Sequence, residues 1–420
     1  MHTFALSLGA VRRGALVACA WLTAVASAAE PRWVELNRDA RQAASAGDYP
    51  KLRTTLAELA QLMPGNARIA YNTTAAAAHL GDIPSAFAGL DALCNMGLVF
   101  DLASDADFDS LHGTPRYDAA LQCMTRNGQP VTHAQPWRAL DEQDLLPEDI
   151  TYDPTSQRLF VSSIRKNKII DSNGRLFANT DLPALALAVD DKHRTLWATI
   201  GWLPQCDSCA ASDSGKTALL AFDIDSQRMT RRVDSPAAGL LGDMTIGSAG
   251  DLFVSDSQSG AVFRLAPDAS QLERIDPPGE FASPQQPALS ADETTLYVAD
   301  YTRGIAAITL ATRSLVWLQP DADIALSGID GLKVNGSSFI AVQNGTRPPR
   351  IVRMSLDLKQ YEVLEANWPG LGEPTHGTIV GTRYLFVANT GWPEYADDGR
   401  KRPGSAPVLS SIYEIELEPE

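Results

Sequence analysis

Between Leu159 and Val387 one short pattern returns six times, a polar turn followed by an apolar, often aromatic triplet. The triplets are Leu159-Phe160-Val161, Leu196-Trp197-Ala198, Leu252-Phe253-Val254, Leu296-Tyr297-Val298, Phe339-Ile340-Ala341 and Leu385-Phe386-Val387. Successive triplets start 37, 56, 44, 43 and 46 residues apart, close to the ~40 to 50 residue period of four-stranded propeller blades. The spacing predicts a mainly β chain folded as a six-bladed β-propeller, a ring that brings six equivalent loops to one mouth. Its last strands, Leu385 to Ala388 and Ile412 to Leu417, leave the sixth blade one strand short. Gln135 to Leu140, with Trp137, is expected to fill that place and so remove an open sheet edge.

Residues 29–128 have a different character, rich in Ala and Leu at helical spacing. Gly47-Asp48 recurs as Gly81-Asp82 after 34 residues. Ala40, Leu52, Leu56 and Pro64 in the first unit, and Ala86 and Leu90 in the second, fall where tetratricopeptide repeats place small, packing and helix-stopping residues. A third, truncated unit would hold Phe108, Leu111, Pro115 and Tyr117. The region resembles a small tetratricopeptide-like helical domain preceding a propeller over 129–420. Such helix pairs offer a groove for a protein partner or serve as a docking brace.

Residues 1–28 read as a signal peptide: Arg12-Arg13, an uncharged run, and the small-residue stop Ala26-Ser27-Ala28 predict export with cleavage near Ala28. A lipoprotein reading through Cys19 ranks second and a twin-arginine route third. The expected location is periplasmic or secreted. No other segment approaches the ~18 apolar residues of a membrane helix, so membrane insertion is not expected. A formal charge of -16 would repel phosphate backbones, which argues against a nucleic-acid partner. After cleavage Cys94, Cys123, Cys206 and Cys209 remain; in an oxidising compartment proximity would pair Cys94 with Cys123 and Cys206 with Cys209. A redox-active Cys206/Cys209 pair lacks the strand-to-helix context, and a zinc site lacks further ligands nearby.

With the blades aligned on their triplets, the residues just before the innermost strands are Glu148, Leu185, Gly242, Gln285, Asp330 and His376, with Asp149, Asp243 and Gln286 beside them. Glu148 and Asp330 share a register and so face one channel, where like charges call for a cation or for protonation of one acid. Each also has a plainer reading: Asp330-Gly331 as a turn former, Glu148 as a solvated loop acid, His376 as a turn residue. The links between second and third strands surround the same mouth. They carry Trp202 with the Cys206/Cys209 pair in blade two, Asn344 and Arg347 in blade five, and Trp392, Tyr395 and Arg400 in blade six.

Pro147-Glu148-Asp149-Ile150, Pro284-Gln285 with Leu296 to Asp300, and Ile329-Asp330-Gly331-Leu332 give the chain a resemblance to the senescence marker protein and gluconolactonase group, six-bladed propellers with one divalent metal in the channel. The resemblance implies Glu148 and Asp330 as metal ligands, with Gln285 at a third ligand position, and Asp330 also as catalytic base; Asp243 and His376 at the mouth and Trp202, Trp392 and Arg347 on the long loops around it are the candidates for substrate contact. Converging carboxylates suit a hard cation with oxygen ligands, calcium first, with zinc or magnesium as alternatives. In the family an Asn stands at the position of Gln285 and another at Gly242. The expected activity is metal-dependent hydrolysis of a lactone or similar cyclic ester; the alternative is a non-catalytic propeller that binds a small ligand or a protein. No repeated Trp docking motif and no Gly-x-Ser-x-Gly elbow supports a quinoprotein or a serine hydrolase.

Overall fold

The computed structural model describes residues 30–321 and 323–417; the expected signal peptide and its cleavage near Ala28 lie outside them. From Pro31 onward the chain forms one compact unit. Six four-stranded antiparallel sheets make up most of it. Their first strands are Ile150–Asp153, Ala184–Asp190, Leu241–Ile246, Pro284–Leu289, Ile329–Asn335 and Gly377–Val380. Each touches the first strand of the next sheet, and the last touches the first. The architecture is a six-bladed β-propeller. In the sixth blade Gln135–Ala139 lies outside Ser411–Glu416, with Pro136 opposite Tyr413 and Ala139 opposite Ser411. The two ends of the propeller sequence thus close the ring together, as the missing strand predicts.

The triplets explain the seams. Side chains alternate between the two faces of a strand, so the central residue of a triplet meets one neighbouring blade and its flanks meet the other. Phe160 packs with Leu196 and Ala198 of blade two. Trp197 packs with Leu252 and Val254 of blade three. Leu159 and Val161 meet Leu385 and Val387 of blade six, completing the circle. Burying one such side chain contributes about 1.5–3 kcal/mol, and every seam has several.

Among the described residues five α-helices precede the ring: α1 (Arg32–Ala46), α2 (Tyr49–Leu62), α3 (Ala67–His79), α4 (Ile83–Asn95) and α5 (Pro115–Asn127). The repeated Gly-Asp steps are the turns within the first two pairs. Gly47 and Gly81 take left-handed backbone, φ 68° and 69°, which a residue without Cβ adopts freely. Asp48 and Asp82 then cap α2 and α4 by accepting from the backbone nitrogens of Lys51 and Ser85. Cys94 and Cys123 join α4 to α5. Among the described residues no helix is long and apolar enough to cross a membrane.

Two buried arginines fasten the helices to the ring. Arg303, at the turn between the second and third strands of blade four, donates to Leu62 O at 3.2–3.3 Å and stacks 4.1 Å over Trp317. Arg350, at the start of the third strand of blade five, donates to Met96 O at 2.6 Å and to Gln343 Oε1 at 2.8 Å. Leu62 ends α2 and Met96 follows α4, so each cation meets carbonyls at the negative end of a helix. Asn66 donates to Thr302 O and Leu326 N to Gly65 O, which adds backbone contacts to the same seam.

Candidate metal centre at the propeller mouth

The first strand of a blade enters the ring at the mouth, and in four blades that entry is irregular. The pairing register shifts between Ala184 and Leu187, Leu241 and Asp243, Pro284 and Pro287, and Ile329 and Gly331. A bulge of this kind re-aims side chains. Glu148, Asp330 and His376, from blades one, five and six, each bring a ligating atom to one place, and these atoms all lie within 4.8 Å of one another.

The neighbours of these residues stitch the ring. Asp149 Oδ2 accepts from Leu187 N at 2.9 Å and Gln286 Oε1 from Leu332 N at 2.8 Å, each reaching into the following blade. Thr199 Oγ1 donates to Gly242 O at 3.1 Å in the same way. The ligand candidates are themselves held. Glu148 Oε2 accepts from Trp392 Nε1 at 2.8 Å. Asp330 Oδ2 accepts from Asn344 Nδ2, whose Oδ1 accepts from the Tyr301 hydroxyl at 3.0 Å. His376 has Nδ1 3.1 Å from Glu148 O and Nε2 2.8 Å from Asp243 Oδ1. The second contact is close enough for an ion pair but lies off the line of a hydrogen bond, leaving Nε2 buried without one.

Enclosure dominates the electrostatics. Burial, then the charge of Asp330, pushes the Glu148 carboxyl up to about 8. Burial also lifts Asp330 to about 6; His376 and the Asn344 hydrogen bond oppose it, and Asp243 adds to it. Glu373 rises to about 7 through burial and the nearby Asp330. For His376 burial favours the neutral ring, but Asp243, Asp330 and Asp149 outweigh it and raise the imidazole well above its ordinary value. Burial lowers Lys333, which faces Asp149 and Asp243.

The expected substrate-contact residues divide. Asp243, His376 and Trp392 stand in the cluster. Trp202 donates to Ala210 O within its own loop. Arg347 is exposed, and its carbonyl accepts from Val99 N of the helical region. Gln285 ties its amide nitrogen to Ser283 O and Oγ and has only its oxygen left to offer. Sequence reasoning did not single out Tyr301, Lys333 or Glu373. Tyr301 directly follows the Leu296 to Asp300 segment that carries the resemblance, and Lys333 is three residues beyond Asp330, so strand register was the available signal for both.

A roof lies over the Glu148 side. Leu203, Trp392 and Tyr395, from the long links of blades two and six, pack with Leu146 and Ile164 of blade one. The blade-two link is stapled by Cys206–Cys209, and Arg165 stacks 5.0 Å over Tyr395. Reducing that disulfide is expected to make residues 202–216 sensitive to protease while the ring stays folded. Limited proteolysis with and without reductant checks this; equal cleavage rates would show that the staple does not hold the roof.

Two carboxylates and an imidazole from three blades, each with a ligating atom in one place, fit a divalent cation. Ligating atoms within 4.8 Å of one another would suit calcium, which takes oxygen donors at about 2.3–2.6 Å. The imidazole nitrogen suits zinc better.

No protein-family model matches the chain, and no curated protein matches it. Among solved structures it is similar to a streptogramin B lyase, at 17% identity and a TM-score of 0.45 over 68% of this chain and 88% of that one. It is also similar to virginiamycin B lyase from Staphylococcus aureus, at 14% identity and 0.43 over 61% and 81%. A nidogen/laminin complex gives 13% identity and 0.42 over 53% and 80%. At these values no residue role is taken from any of them.

Proposed function

We propose that the protein is a metal-dependent hydrolase of a lactone or similar cyclic ester, exported to the periplasm or secreted. The observation that carries this reading is the convergence of Glu148, Asp330 and His376 within 4.8 Å. These three would hold the cation, with the oxygen of Gln285 as a further donor from the resemblance. A bound divalent cation supplies the charge that polarises an ester carbonyl and acidifies water. Asp330, the base by the resemblance, would accept the proton of that water. The proton taken by Asp330 would then pass to the alcohol oxygen as the ring opens. Water is thereby added across the ester bond, and no other reactant is needed. Asp243, with Oδ1 2.8 Å from His376 Nε2, would orient the ring.

The test joins metal analysis of the purified protein to a lactone ring-opening assay before and after chelation. Asp330→Ala is expected to lower metal occupancy and to reduce turnover by about 100-fold or more. Unchanged occupancy and turnover in that variant would overturn the reading. Intact-mass analysis of exported protein checks the cleavage near Ala28.

A groove of about 480 Å³ favours the second reading, a binding propeller whose tetratricopeptide-like helices engage a protein. Met63, Ile69, Ala77 and Met96 line it, together with Gln319 to Asp321 of the ring. Metal uptake without turnover of any lactone would favour that account.

A further inference from the structure

The two candidate ligand carboxylates are restrained in the same manner. Each has one oxygen engaged by a neutral N–H donor, Glu148 Oε2 by the Trp392 indole at 2.8 Å and Asp330 Oδ2 by the Asn344 amide. An arginine or lysine in either place would cancel charge that a cation needs; an indole or amide leaves that charge in place. The engaged oxygen is fixed, so the other oxygen of each carboxylate is the one turned free. We propose that Trp392 and Asn344 are positioning residues that make Glu148 and Asp330 one-oxygen ligands with a set orientation. This rests on the metal reading given above.

Both donors are held in turn. Asn344 has a donor end and an acceptor end, and only the donor end suits a carboxylate. The acceptor-only Asp330 carboxylate selects that orientation, since a flipped amide would set its oxygen against it, and the Tyr301 hydroxyl, donating to Asn344 Oδ1 at 3.0 Å, holds the amide there. Trp392 follows Gly391, whose φ of 94° disfavours any side chain there, and its ring is packed into the roof. Outer groups that orient metal ligands typically contribute 10–100-fold to affinity.

The experiment titrates metal-free protein with zinc, calcium and magnesium in turn by calorimetry. Trp392→Phe and Asn344→Leu keep side-chain bulk and remove the donor, so the dissociation constant for the metal that binds is expected to rise about 10–100-fold in each. Tyr301→Phe should weaken binding in the native background and change nothing in Asn344→Leu, because its route to the metal runs through the amide. A purely structural tyrosine would show the same loss in both backgrounds. Circular dichroism confirms folding, and the two donors sit on different blades, so one misfolded variant leaves the other as the test. Native-like affinity in the folded variants overturns the positioning role and leaves the metal site standing. Failure of the native protein to take up any of the three metals overturns both.

Discussion

Arg350→Met is expected to lower the stability of the chain by about 2–6 kcal/mol, since it strands two buried acceptors at about 1–3 kcal/mol each. The acceptors are Met96 O and Gln343 Oε1, now 2.6 and 2.8 Å from the guanidinium. Arg350 is 1% exposed, and burial pulls its guanidinium down to about 10, so removing the charge also relieves a cost. Replacing a whole buried polar set by apolar groups can be neutral for that reason. Here only the donor goes. Gln343 remains bound to Ala325 O and Ser327 O through Nε2, and it cannot turn its orphaned oxygen to water. Met96 O is fixed by the end of α4. The loss therefore exceeds the relief, and the seam between helices and ring opens first. Denaturant unfolding reads the size of the effect, and protease cutting between α5 and the ring reads its place. An unchanged midpoint with an intact seam would sink the idea.

That seam shows what the sequence did not disclose. The helices were legible from their 34-residue Gly-Asp step, and the ring from its triplets, because both are local periodicities that packing preserves. The docking of α2 and α4 rests on Arg303 and Arg350, more than 200 residues away in sequence, and nothing local marks either arginine as a helix partner. The mouth was legible to within one residue. Aligning the blades placed Glu148, Asp330 and His376 at equivalent entries, but register shifts at the entries of blades two to five decide which of two consecutive side chains turns inward there. In blade three it is Asp243 that meets His376, while Gly242 offers its carbonyl to Thr199. In blade four Gln286 is fully buried and clasps blade five, and Gln285 turns to its own loop. A one-residue bulge has no reliable signature in composition. The loops were expected at this mouth, yet Trp392 proved to be bound to Glu148, a contact that depends on how the roof packs.

The metal-free protein is expected to become less stable as pH rises from about 5 to about 8, the reverse of the usual behaviour of paired carboxylates. Unfolded Asp and Glu titrate near 4, and the folded values stand above that: about 6 for Asp330, about 7 for Glu373 and about 8 for Glu148. The folded state thus holds protons that the unfolded state has released. Stability from these groups is complete below about pH 4 and is lost as pH passes through the folded values. His376 acts in the same direction, since its raised value means the folded ring keeps its proton past the unfolded range near 6.5. Lys333, facing Asp149 and Asp243, is lowered by burial and loses its proton earlier than usual. That effect favours the folded state only at higher pH. Pairs outside the mouth such as Arg194 with Asp153, held down at about 2, change their contribution only below about pH 4 and do not enter this window. A carboxyl that holds its proton tenfold more tightly when folded is worth about 1.4 kcal/mol, so the site changes stability by a few kcal/mol, and the apparent melting midpoint should fall by several degrees. A bound cation competes for the same positions, so its affinity should rise with pH as ligand protons are released. Melting curves from about pH 5 to about pH 8.5, with chelator and with zinc or calcium, read both effects. The slope should be steep with chelator, flattened by metal, and reduced in Glu148→Gln. A flat profile in chelator would mean that the buried carboxyls titrate normally and that the mouth is open to water.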